Sequence, residues 1–217
     1  MTALYHELLD LYGPQGWWPL LKHNGANPTK TGSHRGYHPG QYGLPETSAG
    51  RFEVAVGAVL TQNTAWPNVE KALAGLLALE ALTPQAILAA NEDDLRRAIR
   101  PAGYYNIKAK KLRCLSEFIV AHRSSHGDTP PEREALLGVW GIGPETADSI
   151  RLYAYHCPEM VVDTYTRRIL VARKVCEPDI SYSELKRICI SAIPATVPDY
   201  QEFHALMVEH GKHLSAR

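Results

Sequence analysis

Two glycines one residue apart, a proline directly after them and a carboxylate 18 residues past the next glutamate are the positions in this 217-residue chain best suited to chemistry. The glycines are Gly141 and Gly143, in Leu136-Leu137-Gly138-Val139-Trp140-Gly141-Ile142-Gly143-Pro144-Glu145-Thr146-Ala147-Asp148. Without a Cβ, each can turn the chain tightly and bring its amide close to a ligand. Pro144 suits the first position of a following helix, whose unpaired amides and positive dipole end attract an anion such as a phosphate. Two glycines alone fit a plain helical hairpin better than a ligand site, so this spacing by itself leaves both readings open. Asp163, in Val161-Val162-Asp163-Thr164-Tyr165-Thr166-Arg167-Arg168, could stabilise positive charge, and it is equally a sound N-cap for a helix over 163–176.

Such residues need a scaffold, and the chain is long enough to bury a core as one large domain or two small ones. Alanine and leucine dominate after residue 51, apolar residues recur at three- and four-residue spacing, and alternating β-branched runs are scarce. The expected fold is all-α, with helices over 2–12, 51–63, 67–80, 83–90, 92–100, 106–123, 131–138, 144–156, 163–176, 181–193 and 199–213. Thr83-Pro84 and Gly143-Pro144 place proline at first helical positions, and Asn106 and Ser181 read as N-caps. Residues 20–50, rich in Gly, Pro, Asn, Ser, Thr and His, have no helical period and read as a long loop with little to bury. Its His23, His34 and His38 lack a Cys or carboxylate at ligand spacing, so no metal site is expected there.

Composition excludes some functions and is silent on others. Apolar residues make up 45% and charged residues 21%, no apolar run reaches bilayer length, and the start of the chain lacks a secretory signal, so a soluble cytoplasmic protein is expected. Cys114, Cys157, Cys176 and Cys189 match no zinc or iron–sulfur spacing and read as core thiols. Lys plus Arg and Asp plus Glu are 23 each, so a polyanion would have to be held by local patches. One basic stretch is Arg100, Lys108, Lys110, Lys111 and Arg113, and another is Arg167, Arg168, Arg173 and Lys174.

The hairpin string resembles the helix–hairpin–helix motif of the endonuclease III (HhH-GPD) superfamily of DNA glycosylases, and the Val-Val-Asp stretch its second signature. The likeness continues through Val59-Leu60-Thr61-Gln62-Asn63-Thr64, Gly103-Tyr104-Tyr105-Asn106-Ile107-Lys108-Ala109-Lys110 and His210-Gly211-Lys212, covering about residues 51–213 in order. Trp17-Trp18-Pro19 and Arg51-Phe52-Glu53-Val54 make it most similar to the 3-methyladenine DNA glycosylase III branch.

That resemblance implies two helical domains around a DNA-binding cleft. Residues 51–156 would form one, carrying the helix–hairpin–helix at 131–156, and 1–50 with 157–217 the other. Asp163 would be the catalytic carboxylate, stabilising the oxocarbenium-like sugar and handling the attacking water. Bifunctional members carry a Schiff-base lysine where this chain has Glu145; a carboxylate cannot form an imine, so base release without strand cleavage is implied. A flipped base would be sandwiched by Trp18 and Trp66, with Trp17 and Pro19 beside them, and an alkylated cationic purine would gain cation–π attraction there. Gln62 would fill the gap left by the base, and Gly141, Gly143, Thr146, Lys108, Lys110, Arg167 and Lys212 would hold the duplex. The expected partner is double-stranded DNA containing a damaged base, bound by a monomer. With the chain ending at Arg217 there is no room for the family's four-cysteine cluster, so no iron–sulfur cofactor is expected, although the hairpin is compatible with a monovalent cation. A mismatch uracil or thymine glycosylase, an endonuclease III-like enzyme for oxidised pyrimidines and a non-catalytic DNA-binding module are the competing readings.

Overall fold

The computed structural model describes residues 1–29 and 35–215. Its α-helices are α1 (Thr2–Tyr12), α2 (Ser48–Leu60), α3 (Trp66–Ala78), α4 (Pro84–Ala89), α5 (Glu92–Ile99), α6 (Tyr105–His126), α7 (Arg133–Leu137), α8 (Pro144–Ser149), α9 (Thr164–Ala172), α10 (Tyr182–Ile190) and α11 (Val197–Ser215). The all-α expectation holds, and each expected helix has a counterpart. Extended pairing among the described residues is limited to one bridge between Ala26 and Arg35. No helix among them is long and apolar enough to cross a membrane.

The central helix is α2. Thr47 caps it by accepting a hydrogen bond from the Gly50 amide, and every residue from Phe52 to Leu60 is buried. Phe52, Val54, Val56, Val59 and Leu60 are at most 2% exposed, which stabilises the fold by roughly 1.5–3 kcal/mol for each side chain. Around α2 pack α3, α6 and α8, while α4 and α5 lie against α6. Helices from the two chain ends form a second group, with α11 lying on α1 and α9.

Between the groups the expected single helix 144–156 is broken in character. After Ser149 the α8 backbone widens into a π-helical turn over Ile150–Ala154, and this turn touches both α2 and α11. Two expected N-caps divide. Ser181 forms a full capping box with Glu184. Asn106 does not cap, because Tyr104 takes the N-cap position in a left-handed conformation (φ 44°) and α6 begins one residue earlier than expected.

The long loop is not the empty segment its composition suggests. Tyr37 is 2% and His38 1% exposed. The loop closes on itself by backbone contact: a Cβ on Gly25 would lie 1.7 Å from the Tyr37 carbonyl oxygen, and one on Gly16 2.2 Å from the Pro39 nitrogen. Of the three loop histidines, His34 lies outside the described residues. His38 directs its two ring nitrogens at the carbonyls of Trp18 (2.8 Å) and Gln41 (3.1 Å), and so fixes the Trp17-Trp18 segment from behind. No group of three or more His, Cys, Asp or Glu that could hold a metal occurs among the described residues.

Candidate active site

Asp163 is the N-cap of α9, in extended backbone conformation. Its Oδ1 accepts hydrogen bonds from the Thr166 amide (2.7 Å) and the Thr166 hydroxyl (2.8 Å). The other oxygen, Oδ2, lies 3.9 Å from Nε2 of His204 on α11. Nδ1 of His204 is 2.7 Å from the Tyr153 hydroxyl, which also donates to the Gln201 carbonyl. Capping and chemistry are therefore not alternatives for Asp163: one oxygen locks the side chain and the other remains available. Burial pushes the His204 pKa down, with the Asp163 charge opposing. Spacing gave no notice of His204 or Tyr153; the only sequence signal is polar groups within apolar helical stretches.

The hairpin between α7 and α8 turns through Gly141 at φ +86°, where a Cβ would lie 2.5 Å from the Lys111 side chain. Gly141 is thus required twice, by its backbone and by its neighbour. Gly143 is the extended N-cap of α8 and has open space where a Cβ would point. Gln62, at the end of α2, donates from Nε2 to the Gly141 carbonyl (3.1 Å) and the Thr146 hydroxyl (2.9 Å), while Lys111 donates to its Oε1. In this state Gln62 and Thr146 stitch the hairpin to α2, and Gln62 lines the outer cleft. Further along, fully buried Asp148 of α8 is bound by Arg133 of α7 (2.6 Å), Lys186 of α10 (2.8 Å) and the Tyr182 hydroxyl (2.7 Å). Three donors satisfy a charge that would otherwise be expensive to bury, and they anchor the hairpin's second helix.

Behind Asp163 is an aromatic cavity of about 250 Å³, lined by Trp17, Trp18, Tyr37, Trp66, Tyr165 and His204 among others. Trp18 and Trp66, expected to sandwich a flipped base, both line it. The Trp18 and Trp66 rings meet edge to face, with centroids 5.4 Å apart and planes at 86°, so no slot separates them. Trp17 also packs on both. Edge-to-face contact is the preferred arrangement of electron-rich rings with nothing between them. Pro19 does not line the cavity; it is buried near Gly36 in the loop. Lys212, by contrast, does line it, with its ammonium 5.9 Å from the Trp17 ring centre and 3.0 Å from Glu209. Gly211 beside it permits close approach, since a Cβ there would lie 2.3 Å from the Tyr165 ring.

The cavity opens into an outer cleft of about 930 Å³ bordered by the hairpin, Lys111, Arg168 and Tyr182. Glu145 stands in the wall shared by the two. It reaches solvent through the cleft yet is crowded by protein, and that crowding, with the Asp163 charge adding to it, pushes its carboxyl up to about 7. It is exposed, as expected of that position, and its side chain does not cap the helix.

The basic stretches sort themselves by burial. Lys110 is exposed, its ammonium 4.3 Å from the ring centre of half-exposed Trp140 at the hairpin tip. Lys108, expected to meet phosphate, is instead 2% exposed and donates to the carbonyls of Leu60 (2.7 Å) and Ala102 (2.9 Å) and to the Thr64 hydroxyl (2.7 Å). All three ammonium protons are used, and burial lowers its pKa to about 8. Arg113 binds the Leu88 and Ala90 carbonyls and Arg173 pairs with Glu7, so both are structural too. Arg167 is half-buried and does not line the cleft, whereas its neighbour Arg168 does.

An all-α scaffold that sets a glycine hairpin beside a carboxylate-rimmed aromatic cavity is the architecture of a DNA glycosylase. Residues 56–195 match the HhH-GPD superfamily of base excision DNA repair proteins, and the chain belongs to that superfamily. It is 40% identical over 216 residues to a Methanocaldococcus jannaschii protein that bears the name of a DNA repair glycosylase, covering 96% of this chain and 86% of the relative. The fold is similar to that of Helicobacter pylori 3-methyladenine DNA glycosylase MagIII bound to 1,N6-ethenoadenine, with TM-score 0.73, 28% identity and coverage of 98% and 97% of the two chains. Endonuclease III of Thermotoga maritima is 33% identical over 118 residues, 54% of either chain. The superfamily is one of base excision DNA repair.

Proposed function

We propose that this chain is a monofunctional DNA N-glycosylase that hydrolyses the bond between deoxyribose and a flipped, alkylated purine of the 3-methyladenine type, leaving an abasic site. The observation that carries the reading is Asp163, fixed by Thr166 at the mouth of the aromatic cavity with one oxygen uncommitted. Leaving-group departure builds positive charge on the sugar, and a fixed carboxylate stabilises it without having to reorganise. The same oxygen can take the proton of the attacking water. Indole faces in the cavity favour a cationic base through cation–π attraction of about 0.5–2 kcal/mol, for which Trp18 and Trp66 must swing from their edge-to-face contact. Glu145 at the position of the family's Schiff-base lysine supports base release without strand cleavage.

One test is incubation with methylated duplex DNA, reading free 3-methyladenine, free 7-methylguanine and strand breaks separately. Release of an alkylated base by wild type, its loss in Asp163→Asn and intact strands are expected. Cleaved strands without added base, and a borohydride-trapped adduct, would overturn the monofunctional reading and direct attention to the Lys212 amine.

A second reading, excision of a neutral base such as mismatched uracil or thymine, draws on different atoms. Lys212 already occupies the neighbourhood of the Trp17 face, and the Trp18 and Trp66 N–H groups and the Thr61 hydroxyl, all on cavity residues, lack partners among the described residues. Such donors suit carbonyl oxygens. Uracil released from a mismatch, with no alkylated base, would decide for it.

A further inference from the structure

A flipped nucleotide is divided by the architecture: its base enters the aromatic cavity and its sugar and phosphates remain in the outer cleft. The glycosidic bond must therefore cross the rim common to both spaces. That rim contains two carboxylates among the described residues, Asp163 and Glu145, together with Thr61, Thr64, Thr146 and Tyr165. The two acids are held differently. Asp163 has an oxygen clamped by Thr166. The Glu145 side chain accepts no hydrogen bond from the described residues; Ser149 reaches only its backbone carbonyl.

We propose that Glu145 is a second catalytic residue, the general acid that protonates a departing base which carries no charge of its own. The proposal rests on the glycosylase reading of Asp163. In the step, the bond between the base nitrogen and C1′ breaks with its electron pair going to the base, and a ring nitrogen takes the proton of the Glu145 carboxylic acid. Water forms the new bond to C1′ and yields a proton to Asp163. Glu145 ends as a carboxylate and Asp163 as an acid, and exchange with solvent restores both.

The charge environment agrees with this division of labour. Crowding and then the Asp163 charge raise the Glu145 carboxyl to about 7, so near neutrality it can hold the proton it must give. Groups on neighbouring elements that line the same spaces are Asp163, Tyr165 and Arg168 of α9, Tyr182 of α10, His204 and Lys212 of α11, and Lys111 of α6. Of these groups, Asp163 is the one whose charge acts on the Glu145 carboxyl, and it raises it.

This assigns a substrate class to Glu145. A purine alkylated on a ring nitrogen leaves as a neutral molecule and needs no acid; a neutral damaged purine does. The test is single-turnover excision from two duplexes, one carrying cationic 7-methylguanine and the other a neutral etheno-purine, by wild type, Glu145→Gln and Asp163→Asn. Glu145→Gln is expected to slow release of the neutral base by about 10²–10⁴-fold and to slow release of the cationic base by a much smaller factor. The wild-type rate on the neutral base should fall as pH rises through about 7, and this limb should be absent in the variant. Equal slowing of both bases, no slowing of either, or a wild-type profile without the limb would overturn the role of Glu145. If Asp163→Asn remains active, or wild type releases neither base, the underlying glycosylase reading fails instead.

Discussion

The helix that follows the hairpin and the segment running from Trp17 through Tyr37 each line one cavity, and they are built by different means. On the hairpin side the geometry follows helical spacing: Gly141 turns, Gly143 caps, Glu145 and Thr146 follow in the first turn, and Gln62 and Asp148 pin the unit to its neighbours. On the loop side no period exists. Trp17, Trp18 and Tyr37 are held by a histidine between two carbonyls and by glycines that let backbone touch backbone. The first wall can be read from residue type and distance along the chain, whereas the second depends on contacts between residues with no regular relation.

The two walls should respond differently to substitution. The largest effect belongs to the carboxylate at their junction: Asp163→Asn should reduce single-turnover base release by about 10²–10⁴-fold while DNA binding, measured by anisotropy, stays intact. Comparable losses of binding and release would mean that Asp163 is only a cap. Next, Lys108→Met should destabilise the fold by about 1–3 kcal/mol or more in denaturant titration, because buried oxygens lose their donor. It should not change the salt dependence of DNA binding, whereas Lys110→Ala or Arg168→Ala should each lower that slope by about 1. On the loop wall, Gly25→Ala should destabilise by about 1–3 kcal/mol and weaken base capture with it, since Tyr37 cannot hold its place. A stable variant with unchanged capture would show that the loop wall is pliable.

The smallest effect concerns pH. The Glu145 carboxyl is raised above its ordinary value in the folded chain, so its ionisation opposes folding, and stability is lost as pH rises from about 4.5 through about 7. Glu145→Gln should therefore melt higher than wild type above pH 7, with the gap closing toward pH 4.5. His38 and His204 shift the other way: burial lowers both, so the stability they contribute is present above their ordinary value of 6.5 and lost as pH falls below it.

Legibility followed the same division. Every helix and the hairpin were available from spacing, and Asp163 from the signature that accompanies it. Lys108 was misread because a run of basic residues suggests a solvated face. The corrective was present: Lys108 shares the 108, 112, 115, 119 stripe of α6 with Leu112, Leu115 and Ile119, which is the buried one. Tyr37 and the edge-to-face indoles had no comparable sign, since their positions depend on where a non-periodic backbone crosses itself. His204 lies between, on a helix buried almost all round, so its stripe does not distinguish it from core.

The π-helical turn at Ile150–Ala154 sets a phase. An α-helix advances about 100° per residue, so the wide turn holds the equivalent of one residue more than ordinary winding would. Wound as ordinary α-helix, the same residues would set all that follows out of phase by about that angle and carry the Tyr153 hydroxyl away from His204. The turn is thus a record of chain length, the place where a single inserted residue can be accommodated without unmaking the helix around it.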